Sequence, residues 1–221
     1  MEPVTVYLVR HGQTYLNKYN RMQGWCDSPL TDKGEADADR AGKYLREIHF
    51  QRAYCSDTMR ARNTAKHILA ANLYPGTSLH LTENFREQCY GYFEGDDSAR
   101  TWYVIGMPHG GLRTFHEIIK EHGMDASKDF MAAADPFGDA EDARTYWTRL
   151  MHGFKELRDD NPDGGDVLMV SHGTTIRSIV DKFGRQDGYD VSVSPKNGSV
   201  SKIQLTDDGI KVLSYNQVPK D

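Results

Sequence analysis

The chain has 221 residues, 38% of them hydrophobic and 27% charged, which is enough for one large domain with a real core and too little for two. A formal net charge of −5 argues against a general nucleic-acid or anionic-membrane surface, though not against a local basic pocket. Cys26, Cys55 and Cys89 are widely spaced, with no CxxC pair, so neither a zinc site nor a disulfide framework is expected and a reducing compartment fits best.

There is no charged-then-apolar leader and no apolar run near 18 residues, so a soluble, cytoplasmic protein is expected. "VTVYLVR" (4–10) alternates Val4, Val6 and Leu8 with Thr5, Tyr7 and Val9, a strand covered on both faces. It runs into His11 and Gly12, and so delivers a charged and a titratable side chain onto a loop. From Thr31 to Ile48 the period changes. Ala38, Ala41, Leu45 and Ile48 mark one face of a helix. "RAYCS" (52–56) reads as a second strand and Thr58 to Asn72 as a helix, with Ala61, Ala65, Ile68 and Leu69 on one stripe. "TSLHLT" (77–82) is a candidate third strand. The stretch from Asp96 to Arg144 holds turn-rich runs between short amphipathic pieces and reads as an inserted helical cap. After the turn cluster "NPDGGD" comes "VLMVS" (167–171), the plainest buried strand, and then a helix from Thr174 to Phe183. Val200–Leu205 and Ile210–Tyr215 flank "TDDG" as a closing hairpin. Strands alternating with helices predict an α/β sandwich with a mostly parallel sheet, formed as a single domain over 1–221 with its cap at about 96–144.

"YLVRHG" and "LMVSHG" share one design, an apolar strand ending in a His-Gly pair. Ligands of open α/β sheets bind outside the carboxyl ends of the strands. His11 and His172 are therefore expected in one site, with Arg10 beside them and Arg60 arriving from the helix after the second strand. Two guanidiniums, two imidazoles and helix N-termini suit a phosphate group. Ser56 and Ser171 lack a GxSxG frame and read as strand-end hydrogen bonders. His109, His116 and His122 do not repeat on one helical face and read as ordinary cap residues, so no metal is expected. Trp25, Trp102 and Tyr103 suit either the substrate mouth or cap packing.

"LVRHGQT", Asn17, "QGWCDSPLTDKG", "SDTMRARNTA", "REQCYGYFEG" and "VSHGTTIR", in that order, resemble the histidine phosphatase superfamily, also called the phosphoglycerate mutase-like family. The resemblance covers 4–95 and 167–177; 96–144 is not matched in detail. It implies a three-layer α/β/α sandwich. It makes His11 the nucleophile that becomes phosphohistidine, and Glu87 the proton donor. Arg10, Arg60 and His172 match phosphate-binding positions, the last expected to be protonated. Asn17 matches a further pocket residue, and Gln23 and Thr174 lie where the phosphate is often reached. Glu94 reads as a structural carboxylate near the site.

The sugar-phosphate mutases of the family carry a longer cap with a basic cluster, whereas Arg100, Arg113 and Lys120 are scattered here. The resemblance therefore favours a phosphatase of the histidine acid phosphatase type, acting on a small phosphorylated metabolite with no cofactor. A cofactor-dependent phosphoglycerate mutase stays open. So does a module that only binds phosphoprotein or phosphohistidine, although a docking site needs no proton donor.

Overall fold

The computed structural model describes residues 2–220. Six strands form one sheet in the order β3-β2-β4-β1-β5-β6. β1 (Val4–Arg10), β2 (Phe50–Ser56), β3 (Leu79–Thr82) and β4 (Gly165–Ser171) pair in parallel, and β5 (Val200–Thr206) and β6 (Gly209–Gln217) close one side as an antiparallel hairpin. Eight helices accompany them: α1 (Tyr15–Lys18), α2 (Asp32–Leu45), α3 (Met59–Ala71), α4 (Ser98–Gly106), α5 (Phe115–His122), α6 (Met124–Ala134), α7 (Ala143–Asp160) and α8 (Gly173–Gly184).

The alternation along β1 explains the layers. Val4, Val6 and Leu8 join Val167 and Met169 of β4 in one core, packed by Tyr146, Leu150, Phe154 and Leu157 of α7 and by Ile176, Ile179 and Val180 of α8. Tyr7 and Val9 turn the other way. With Leu168 and Val170 they bury Ala41 and Leu45 of α2 and Ala61, Ala65 and Ile68 of α3. Successive strand residues point to opposite faces, so a strand apolar on both becomes the middle of a sandwich. At roughly 1.5–3 kcal/mol per fully buried large apolar side chain, these two cores supply most of the drive to fold.

A third, smaller core lies in the cap. Met22, Tyr90 and Phe93 pack there with Trp102 and Ile105 of α4, Ile118 of α5 and Met131 of α6. The segment expected as a cap thus supplies α4, α5 and α6, whose shared core stops short of 144. α7 begins at Ala143 and belongs to the main sandwich, because Tyr146, Trp147, Leu150, Phe154 and Leu157 form a continuous apolar stripe against the sheet. β2 starts at Phe50, before "RAYCS", since Phe50 is buried beneath α2. The candidate third strand shortens to Leu79–Thr82 at the sheet edge.

Candidate active site

β1 and β4 are paired so that Arg10 lies opposite Ser171. The next residue of each strand is a histidine, and parallel register therefore brings His11 and His172 out side by side. Their ring centroids are 5.2 Å apart, and both residues are almost wholly buried. His11 is followed by Gly12, which presses on the start of α2. A Cβ there would come within 2.1 Å of the Gly34 carbonyl oxygen, so only glycine fits. Gly173 opens α8 against Arg10, whose Nε would lie 3.1 Å from a Cβ at that position.

His11 Nδ1 lies 2.7 Å from the Gly12 carbonyl oxygen. A carbonyl only accepts, so Nδ1 carries the proton and Nε2 of the neutral ring keeps its lone pair. Burial first, then Arg60 and Arg10, hold His11 well below the ordinary histidine pKa, against a weaker pull from Gly12. Burial, Arg60, His11 and Arg10 do the same to His172. The protein's own charges therefore disfavour the protonated His172 that the sequence reading expects. Neither ring nitrogen of His172 has a protein partner, and both are buried, so the ring can turn its hydrogen-bonding capacity to a bound anion.

Arg10 Nη1 donates to the Pro195 carbonyl at 2.6 Å, and its Nε is buried without a protein partner. Arg60 sits at the first turn of α3 and is fully buried. Its Nη1 donates to Cys26 O at 2.9 Å and Asp27 Oδ1 at 3.0 Å, and its Nη2 to Gly24 O at 2.6 Å. The hydrogen-bond network orients the Gln23 amide with its NH2 on Thr14 Oγ1 at 2.6 Å and its oxygen on Arg60 Nε at 2.9 Å. Arg60 thus braces the 23–27 loop from below while its charge reaches both imidazoles. In this structure its donors meet the Gly24 and Cys26 carbonyls and the Asp27 carboxylate, where the sequence reading expects a phosphate.

Glu87 is buried and accepts three hydrogen bonds: Oε2 from Thr174 N at 2.8 Å, and Oε1 from Thr175 Oγ1 at 3.0 Å and Gln88 N at 3.1 Å. Thr174 Oγ1 meets the Tyr90 hydroxyl at 3.2 Å. Burial and then Glu87 push the Tyr90 phenol well above its usual pKa, so it stays protonated. Glu94 is a different kind of carboxylate. Its oxygens accept from the backbone of Gly24, Trp25, Cys26 and Tyr90 at 2.7–3.2 Å. It pins the loop that Arg60 also holds, as the structural reading expects.

Arg10, Asn17, Gln23, Glu87, Gly173 and Thr174 line a pocket of about 410 Å³; the buried His11, His172 and Arg60 are not among its lining residues. Asn17 offers its NH2 there, since its carbonyl accepts from Thr14 N at 3.2 Å. Trp102 lines the mouth and also packs in the cap, whereas Tyr103 and Trp25 are absent from the wall and half exposed. Ser171 Oγ donates to Phe85 O at 2.8 Å, a strand-end hydrogen bond as expected. His109 stacks on Phe130 with centroids 3.4 Å apart, and His122 meets the same ring edge-on.

Several pocket residues escaped the sequence reading. Asn197 donates to His11 O at 2.9 Å and to Asn17 Oδ1 at 3.4 Å, tying the loop before β5 to the His11 backbone. The Asn-Gly pair just ahead of a strand was its visible mark. Gln13, Asn20, Arg21, Ser98, Arg177 and Ser194 complete much of the wall.

Two buried imidazoles, one with a directed lone pair, set beside an arginine and a helix N-terminus, define a site for transferring or hydrolysing phosphoryl groups. This chain belongs to the histidine phosphatase superfamily (branch 1), whose sequence profile matches residues 6–102 and 110–218. It is 37% identical over 194 residues to a 2,3-bisphosphoglycerate-dependent phosphoglycerate mutase of Bartonella bacilliformis, covering 80% of this chain and 79% of that protein. It is 40% identical over 200 residues to the fructose-2,6-bisphosphatase TIGAR B of Danio rerio, covering 78% of this chain and 72% of that one. The crystal structure of a phosphoglycerate mutase from Bacillus anthracis matches with a TM-score of 0.90 at 32% identity, covering 98% of this chain and 94% of its own. The chain is accordingly an enzyme of that superfamily, and among the described residues no helix is long and apolar enough to cross a membrane.

Proposed function

We propose that this chain is a phosphomonoester hydrolase working through a phosphohistidine on His11. The observation that carries the reading is the His11 Nδ1 to Gly12 carbonyl contact, which leaves Nε2 as a buried lone pair beside His172.

His11 Nε2 attacks phosphorus, the N–P bond forms, and the ester P–O bond breaks on the opposite side. The departing oxygen takes a proton from Glu87 and leaves as an alcohol. Water then attacks the phosphohistidine and gives its proton to Glu87. The N–P bond breaks back to neutral His11, and inorganic phosphate leaves. Arg10 and His172 bind the equatorial oxygens. The phosphoryl dianion supplies the negative charge that permits His172 to take up a proton. Asn17, Gln23 and Thr174 complete the donor set, and Arg60 supplies positive charge from beneath the loop it braces. The substrate class is a small phosphorylated metabolite, and a reducing, cytoplasmic setting suits the three free cysteines.

Water is favoured as acceptor because a mutase must retain a doubly phosphorylated, highly charged intermediate. Beyond Arg10, the cations on the pocket wall are Arg21 and Arg177, and Arg177 already donates to the carbonyls of Val191 and Ser192. Arg21 is left to hold a second anion. The names of several relatives favour the alternative, a bisphosphoglycerate-dependent mutase. One experiment separates the two: phosphate release from a panel of monoesters, measured beside isomerisation of phosphoglycerate with bisphosphoglycerate as primer. Release from several esters with little isomerisation is expected, and it should survive EDTA. Isomerisation that outpaces release would overturn the hydrolase reading.

A further inference from the structure

Helix α6 buries a cation beside Met124, Ser127 and Met131. Lys128 is fully buried. Its Nζ donates to Ser178 Oγ at 3.1 Å and to Met124 O at 3.2 Å, lies 3.7 Å from Asp125 Oδ1, and stands 4.9 Å from the centroid of the Tyr146 ring. Burial pushes its pKa down to about 8, while Asp125, Glu87 and Asp181 act to keep it charged. Arg149 faces the same Tyr146 ring at 5.4 Å. Replacing a buried ion by an apolar side chain of similar size is often neutral or stabilising, so stability alone gives no reason for a lysine here.

The surroundings supply another reason. Thr175 and Ser178, three positions apart, share one face of α8. The Tyr146 hydroxyl is buried within reach of both, without a well-aligned bond to either. Thr175 Oγ1 in turn donates to Glu87 Oε1 at 3.0 Å. Lys128, Ser178, Tyr146, Thr175 and Glu87 therefore line up as a dry polar file from α6 to the carboxyl group at the pocket wall, hydrogen-bonded at its two ends and with no hydrogen bond at the Tyr146 hydroxyl between them.

We propose that Lys128 is a positioning residue for Glu87, holding its carboxyl through the hydroxyl file and stabilising the negative charge left on it when its proton goes to the leaving oxygen. The inference rests on the reading of Glu87 as the general acid. Its electrostatic part rests on Lys128 itself: Glu87 is among the groups that keep this buried ammonium charged.

The test is rapid-quench measurement of the phosphorylation step in the full chain, with glycerol phosphate and with p-nitrophenyl phosphate. Lys128→Met should slow the alkyl ester about tenfold and the aryl ester less than about threefold, since nitrophenolate departs without a proton. Tyr146→Phe should show the same selectivity, and the double variant should lose little more than either single one. A merely structural lysine would slow both esters alike. Ser178→Ala cuts the file at a small side chain, and if Lys128→Met does not fold, an alkyl-selective loss in Ser178→Ala supports the proposal. Equal rates for both esters in these variants, while Glu87→Gln remains alkyl-selective, would overturn the role of Lys128 alone. No selectivity in Glu87→Gln itself would overturn the acid assignment and this inference with it.

Discussion

At the carboxyl ends of β1 and β4, His11 and His172 are buried at 3% and 1% exposure, and the backbone of the first is held from both sides: His11 N donates to the Ser171 carbonyl of β4, and His11 O accepts from the side-chain amide of Asn197. At the mouth of the same pocket, Asn20 and Arg21, just after α1, and Ser194, ahead of β5, are exposed. The floor is dry, rigid and charged, and electrostatic interactions there are strong because water is excluded. The rim is wet, and each contact there competes with solvent. On the proposed function, chemistry belongs to the floor and the choice of substrate to the rim.

Substitutions in the two regions should differ in kind. The largest effect is expected at His11. His11→Ala should lower turnover on the order of 10⁴-fold or more, with folding retained in a thermal melt. Glu87→Gln follows, with a loss of about 10²–10⁴-fold in the phosphorylation step for alkyl esters and much less for nitrophenyl phosphate. Glu94→Gln tests whether proximity alone makes a catalytic carboxylate. It weakens the set of backbone donors on the 24–26 loop and should cost about 1–3 kcal/mol in denaturant unfolding, with equal losses for both ester types.

Acid titration of stability probes the floor without a substrate. His11 and His172 have folded pKa values pushed well below 6.5, so between those values and the unfolded one the unfolded chain binds more protons. Stability should then rise with pH through this window and fall as pH drops below about 6.5, by at most about 1.4 kcal/mol per pH unit for each histidine. His172→Gln should flatten the slope, and an unchanged slope would show that the two rings are not held neutral. The smallest effect is expected at the rim: Arg21→Ala should raise KM for a doubly anionic substrate about two- to fivefold and leave kcat nearly unchanged. A loss of kcat there instead would erase the division between floor and rim.

That division also explains what was legible in the sequence. β1 and β4 announce themselves because both faces are apolar and each ends in His-Gly; parallel register then places the histidines together. α2 and α3 were readable from their stripes, and α8 was expected after β4. α7 was not read, although Tyr146, Leu150, Phe154 and Leu157 mark its buried face, and its start lies inside what looked like the cap. Arg60 was found in the right place with a different set of partners, because its motif does not reveal that Gly24 and Cys26 turn their carbonyls toward it. Asn20, Arg21, Ser98 and Ser194 carry no periodicity, so only the tertiary fold brings them to one mouth.

The central claim is that His11 Nε2 becomes the phosphoryl carrier, and direct trapping tests it. Enzyme quenched in alkali during turnover should hold phosphate stable to base and labile to acid, and peptide mapping should place it on His11. Phosphorus NMR of the intact trapped protein should report attachment at Nε2. Phosphate on a serine or on His172, or turnover with none trapped on His11 under conditions where dephosphorylation is slow, would contradict the account.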